Sequence, residues 1–134
     1  MSYLGLDLGA TNVKGALVDA KGRVVAHASE PLGDGAATLA PEAVADALAS
    51  VAQSCVRDWA AVRAVGVGAP GAIEGDAITG CANLFRGSQF PVPLAALVAA
   101  RLHGKRVTLV NDADAAALAE RWVGAAHGFE RAAV

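Results

Sequence analysis

The sequence predicts an α/β domain with a mixed five-stranded sheet and helices on its faces. Two observations carry this. The first thirty residues hold three apolar runs separated by short turns, which makes them antiparallel neighbours. From residue 41 onward, segments with helical spacing alternate with short apolar runs, the pattern of strand–helix crossovers in a parallel sheet. At 134 residues the chain suits one domain, and a folded chain of this size buries roughly two-thirds of its unfolded surface.

The elements follow in order. Tyr3 to Leu8 alternates partly and stops at Gly9, and Val13 to Val18 resumes the apolar pattern. Asp19-Ala20-Lys21-Gly22 has the Asp-first, Gly-last signature of a turn, so Arg23 to Ala28 reads as a third strand. Pro31 to Ala40 is a loop rich in Gly, Asp and Pro. Pro41 fits the first turn of a helix over about 41–57, where Val44, Ala47, Leu48, Val51 and Cys55 recur at helical spacing. Val62 to Val67 suits a buried strand. A Gly-rich segment from Gly68 to Gln89 contains "IEGDAIT", a candidate hairpin turning at Gly75. Pro93 to Leu102 reads as a second helix, residues 106–110 as a second buried strand, and Asp112 to about Ala126 as a third helix, with Ala115, Leu118, Ala119 and Trp122 on one face.

Composition narrows the function classes. Apolar residues are 54% and charged residues 18%, as in a folded globular chain. The net charge of −2 gives no basic excess for nucleic acid or an anionic membrane. Asp7 interrupts the only early apolar run, so no secretory signal is expected, and no uncharged run approaches a membrane span. Cys55 and Cys81 are isolated, with neither a Cys-x-x-Cys motif nor a His cluster near them. They read as reduced thiols of a cytoplasmic protein, and no zinc site is expected.

Three loop positions hold chemistry. In "DLGATNVK", a turn of small residues (Gly9, Ala10) can aim backbone N–H groups at an anion. Thr11 and Asn12 add a hydroxyl and an amide, and Lys14 adds a point charge suited to phosphate. Asp7 would repel that phosphate unless a cation such as Mg²⁺ lay between them. A plain hairpin with solvated end charges accounts for the same residues. In "VTLVNDADAAALAERW", Asn111 and Asp112 lie where a strand ends and a helix begins, the place where open α/β sheets bind ligands. Both residue types also cap helices, but one cap suffices, which leaves the other free for chemistry. In "VGVGAPGAIEGDAITGCANL", glycines up to Gly71 let a ligand approach the backbone, and Asn83 stands as a polar group after small residues. A loop-structuring asparagine explains Asn83 equally well.

Taken in type and order, the three segments resemble the ROK proteins, a group of bacterial-type sugar kinases and related repressors. "GLDLGATNVKGALVD" looks like that family's first phosphate motif, "GVGAPGAIEGDAITGCANL" is similar to its sugar loop, and "VNDADAAALAE" resembles its catalytic Asn-Asp segment. The resemblance spans about residues 3–126. It implies the N-terminal lobe of an actin-like, ribonuclease-H-like kinase that phosphorylates a hexose, most often glucose at its 6-hydroxyl, with ATP. Carried over by position, it implies that Asp7 serves Mg²⁺, that Gly9, Thr11, Asn12 and Lys14 serve the ATP phosphates, that Ala10, Gly71, Asn83 and Asn111 contact or border the sugar, and that Asp112 is the general base. Ala10 replaces the commoner Gly, Asp114 a frequent Asn, and Ala119 a Gly that often precedes the Glu. "NLFRGSQF" departs from the family's Asn-Leu-x-Gly-Trp pattern, which leaves the identity of the sugar open. The second lobe that the family carries has no counterpart in these residues, so a fragment or isolated lobe of a sugar kinase is expected, weakly active or inactive alone, with assembly of one site from a homodimer or from a separate second-lobe polypeptide as a further reading. A sugar-binding or regulatory module without kinase activity is the competing class.

Overall fold

Alternate residues of the first strand point to opposite faces: Leu4, Leu6 and Leu8 are buried, whereas Gly5 and Asp7 are exposed. The computed structural model describes residues 1–81 and 83–115. Its elements are β1 (Ser2–Leu8), β2 (Asn12–Asp19), β3 (Val24–Pro31), α1 (Pro41–Cys55), β4 (Val62–Ala69), β5 (Ala72–Glu74), β6 (Ala77–Gly80), α2 (Leu94–Ala99) and β7 (Val107–Asn111). β1, β2 and β3 form the expected antiparallel meander. β4 pairs in parallel with the other edge of β1, and β7 in parallel with β4, which gives the order β3-β2-β1-β4-β7. The "IEGDAIT" segment is the β5–β6 hairpin, a separate two-stranded sheet.

Pro41 opens α1 at its first turn, and Val44, Ala45, Leu48, Val51, Ala52 and Cys55 bury one stripe of it. That stripe packs on β1, β2 and β3, while Leu94, Ala95 and Val98 of α2 pack toward β7 and α1. Each fully buried Leu or Val contributes about 1.5–3 kcal/mol. Both helices therefore sit over the leucine face, and the Gly5–Asp7 face lies on the other side. Among the described residues, no helix is long and apolar enough to cross a membrane. Both cysteines are free, and burial pushes the Cys55 thiol pKa up.

The boundaries differ from the sequence expectation where local geometry intervenes. α2 is shorter than 93–102. Its end tightens, with Arg101 N–H donating to Val98 O and Leu102 N–H to Ala99 O, and His103 and Gly104 then take positive φ of 53° and 72°. α1 ends at Cys55 rather than near 57, because Val56 is extended. β3 runs on to Pro31 because pairing continues as far as Asn12↔Pro31. Of the expected third helix, only residues 112–115 fall among the described residues, and these are helical. The remainder, with Leu118, Ala119 and Trp122, lies outside them.

Close approach of α1 to β2 rests on Gly15. A Cβ there would stand 2.7 Å from Val51 Cγ1 and 3.1 Å from Leu6 Cδ2. Gly66, in β4, has no heavy atom within 4 Å of the equivalent position. Gly15→Ala is expected to cost about 1–3 kcal/mol through overpacking, and Gly66→Ala less than about 0.5 kcal/mol. Urea unfolding midpoints of the two variants check this, and equal midpoints would contradict the packing.

Candidate functional site

The strand pairing assembles the site before any side chain is considered. Asp7 stands opposite Gly68, and Gly68 opposite Val110, in the parallel ladders. In the antiparallel ladders Asp7 stands opposite Lys14, and Lys14 opposite Ser29. Cross-strand neighbours share a face, so Ser29, Lys14, Asp7, Gly68 and Val110 make one row across the sheet. An open groove of about 860 Å³ runs along it, lined by Asp7, Lys14 and Asp112 together with Gly66, Gly68 and Ala115. Asp7 and Lys14 form no salt bridge with each other; the ion pairs among the described residues are Arg23–Asp19 and Arg101–Asp46.

The carboxyl ends of β1, β4 and β7 lie on one edge of the sheet, and each leads into one of the candidate loops. After β1, Gly9 N–H donates to Asn12 O at 2.9 Å, and a Cβ at Gly9 would sit 2.9 Å from that oxygen, so the turn needs glycine. Asn12 Nδ2 donates to Thr11 Oγ1 at 3.0 Å. Thr11, Asn12 and Lys14 are exposed. The turn is buttressed by the loop after β3: Leu32 N–H donates to Thr11 O at 2.8 Å and Ala36 N–H to Ala10 O at 2.9 Å. Phe85 N–H then donates to Ala36 O at 3.1 Å, so the 32–36 loop links the turn to the segment containing Asn83.

After β4, Gly71 takes a φ of 97°, and a Cβ there would stand 2.6 Å from Gly80 O and 2.7 Å from Cys81 Cβ. After β7, Asn111 Nδ2 donates to Gly71 O at 2.9 Å, which ties the second and third loops together. Asn111 Oδ1 accepts the Ala113 N–H at 3.0 Å, and Asp112 Oδ1 accepts the same N–H at 2.9 Å. Two acceptors therefore share one cap donor, consistent with the surplus of polar residues at this helix start.

The structure thus brings Asp7, Lys14 and Asp112 to one groove, joins Gly71 to Asn111, and sets the Gly9–Asn12 turn at the same edge. It does not join Asn83 to them. That residue lies in an exposed turn, and no hydrogen bond ties it to Gly71 or Asn111. For Mg²⁺, no cluster of three ligating side chains occurs among the described residues. The donor set still fits that ion, which takes one or two carboxylates and fills its remaining positions with phosphate oxygens and water. Asp7 and Asp112 line the same groove.

Sequence reasoning passed over His27, Ser29 and the 32–36 loop, and it valued Gly68 only for access to the backbone. His27 and Ser29 line the groove from β3. Their alternation, read with the β2–β3 register that pairs Ala16 with His27 and Lys14 with Ser29, was the available signal. Gly68 lies under the helix start, where an added Cβ would be 3.8 Å from Asp112 Cα. The 32–36 loop gave no signal beyond its glycines, because its role is carried by backbone hydrogen bonds.

A family model described as ROK family matches residues 3–133. The glucokinase of Thermotoga maritima is 31% identical over 97% of this chain, which corresponds to 39% of that protein. Among solved structures, the inorganic polyphosphate/ATP-glucomannokinase of Arthrobacter sp. strain KM is 35% identical with a TM-score of 0.79, covering 96% of this chain and 51% of that one. A ROK family glucokinase from Streptomyces griseus, solved with glucose and AMPPNP, is 28% identical with a TM-score of 0.78, covering 96% of this chain and 38% of that one. The chain thus spans about two-fifths to one-half of the length of these relatives.

Gly71→Ala places a side chain at positive φ against Gly80 O, at an expected cost of about 1–3 kcal/mol. Chemical denaturation measures it, and a wild-type midpoint would show that the turn relaxes freely.

Proposed function

The chain belongs to the ROK family, and from that premise we propose that it forms one lobe of a hexose kinase, with glucose as the hexose. The observation that supports this best is the convergence of Asp7, Lys14 and Asp112 on one groove at the carboxyl ends of parallel strands. The names of the matched relatives supply the substrates: glucose, with ATP or inorganic polyphosphate as donor. Because the match covers about half of those relatives or less, the activity proposed is that of a closed cleft to which these residues give one wall.

Phosphoryl transfer asks little covalent chemistry of a protein and much positioning and charge stabilisation. In the proposed mechanism Gly9, Thr11, Asn12 and Lys14 hold the donor phosphates, Lys14 as the point charge. Asp7 would hold Mg²⁺, which when bound neutralises charge on the donor phosphates. Ala10, Gly71 and Asn83 border the sugar. Asp112 accepts the proton of the attacking 6-hydroxyl as the hydroxyl oxygen bonds to the transferred phosphorus and the bond from that phosphorus to the donor's bridging oxygen breaks, releasing the shortened donor. Asp112 is exposed at the groove, which supports this role.

Asp112→Asn keeps the shape of the side chain and removes its basicity. Hexose-dependent phosphoryl transfer is expected to fall at least about 10²-fold, with glucose binding by calorimetry held within about threefold. Retention of more than about a tenth of the wild-type rate rules out the base assignment. Lys14→Ala removes a charge-assisted contact of about 1.5–3 kcal/mol. The donor KM should rise about tenfold to a hundredfold while the glucose KM stays level. Initial rates at varied donor and varied glucose separate the two, and a rise confined to glucose would contradict the assignment.

A further inference from the structure

We infer that Phe85 is a positioning residue that holds the Asn83 segment at a set distance from the Gly9–Asn12 turn without touching the sugar. The inference rests on the kinase reading above. Leu84 and Phe85 are consecutive and both buried, at 1% and 0% exposure. Neighbouring side chains in a strand or a helix point in different directions, so burying both needs an irregular backbone. Phe85 provides it with a φ of 55°. A bulky residue rarely takes that conformation, and it persists only where its surroundings hold it. Asn83, two residues earlier, is exposed. The buried pair is therefore the anchor, and Asn83 is the part of the segment presented outward.

The anchor is tied to the first turn through one buried residue. Phe85 N–H donates to Ala36 O at 3.1 Å and Arg86 N–H to Ala37 O at 2.7 Å. Ala36 is itself 0% exposed, and its own N–H donates to Ala10 O at 2.9 Å. Both backbone groups of Ala36 are thus committed, one to each loop, at a position closed to water. Breaking either bond would leave a buried polar group unpaired, so the two loops are held together. Gly35 marks how closely the bridging loop meets the turn: at a φ of 92°, a Cβ there would stand 3.1 Å from Ala10 O. Ala10 and Asn83 are two of the residues proposed above to border the sugar. Their separation is set by Ala36 and Phe85, both too deeply buried to meet a ligand. The donor side has separate supports, the Gly9–Asn12 bond and the β1–β2 ladder, which do not pass through Phe85.

Initial rates with glucose and ATP on the wild type, Phe85→Gly and Phe85→Leu test this, together with amide hydrogen exchange on the wild type. Glycine suits the φ of 55°, so it keeps the backbone path while removing the ring. Leucine keeps an apolar anchor. Phe85→Gly should raise the glucose KM about tenfold or more, the scale of one lost hydrogen bond to the sugar, with the ATP KM within about threefold. Phe85→Leu should stay within about threefold of the wild type in both. Wild-type kinetics in a folded Phe85→Gly overturn the inference. So does a rise of both KM values together, which marks a general loosening rather than a sugar-side role. In the wild type, the Ala36 and Phe85 amides should exchange as slowly as those of β1. Exchange at the rate of the exposed Gly87 amide overturns the tether whether or not either variant folds. A wild type that neither binds nor phosphorylates hexose while those amides are protected sinks the kinase reading, and this role with it, a result distinct from either variant pattern.

Discussion

Everything at the candidate site depends on the parallel pairing of β1, β4 and β7. Three strands running the same way end on one edge, so three loops distant in sequence, after Leu8, Ala69 and Asn111, open side by side. The antiparallel return of β2 then sets Lys14 opposite Asp7 without any loop having to reach across. A one-residue slip in the β1–β2 register would turn Lys14 into the core and Val13 out of it. The leucines of β1 forbid that slip: Leu4, Leu6 and Leu8 are buried against α1 and its neighbours, so the apolar face fixes the register and the register fixes the site.

The two faces of the sheet are used differently. One is filled by α1 and α2, packed closely enough that Gly15 leaves no space for a methyl group. On the other, Gly5, Ala16, Gly66 and Gly68 keep the surface low around Asp7 and Lys14, so a ligand on this face can come close to the backbone. The packed core and the candidate site thus lie on opposite sides of the same strands. Backbone bonds from Leu32 and Ala36 tie the first turn to the scaffold, which keeps it in place without using the side chains of Thr11 or Lys14.

Much of this was legible in the sequence because periodicity and turn chemistry are local. The meander followed from Asp19–Gly22 and the short link at Gly9. The crossovers followed from apolar runs at Val62 and Val107 set between helical stretches. The surplus of caps at Asn111 and Asp112 was visible as well, and it corresponds to a real division of one N–H between two acceptors. What escaped was non-local. The Asn111–Gly71 bond joins residues whose sequences say nothing of each other. His27 and Ser29 gain meaning only through the β2–β3 register. α2 stopped early because His103 and Gly104 turn left-handed, a backbone choice that helical spacing does not reveal. The role of Asn83 came only from resemblance, and among the described residues no hydrogen bond joins it to Gly71 or Asn111.

The central claim is that a hexose sits at the shared carboxyl edge with the reacting hydroxyl on Asp112. A crystal structure of the protein with glucose and a non-hydrolysable ATP analogue tests it most directly. The account predicts one sugar hydroxyl within about 2.6–3.2 Å of the Asp112 carboxylate, and analogue phosphates against the Gly9–Asn12 turn and Lys14. A sugar bound elsewhere, or one at this edge with its hydroxyls turned away from Asp112, would contradict it.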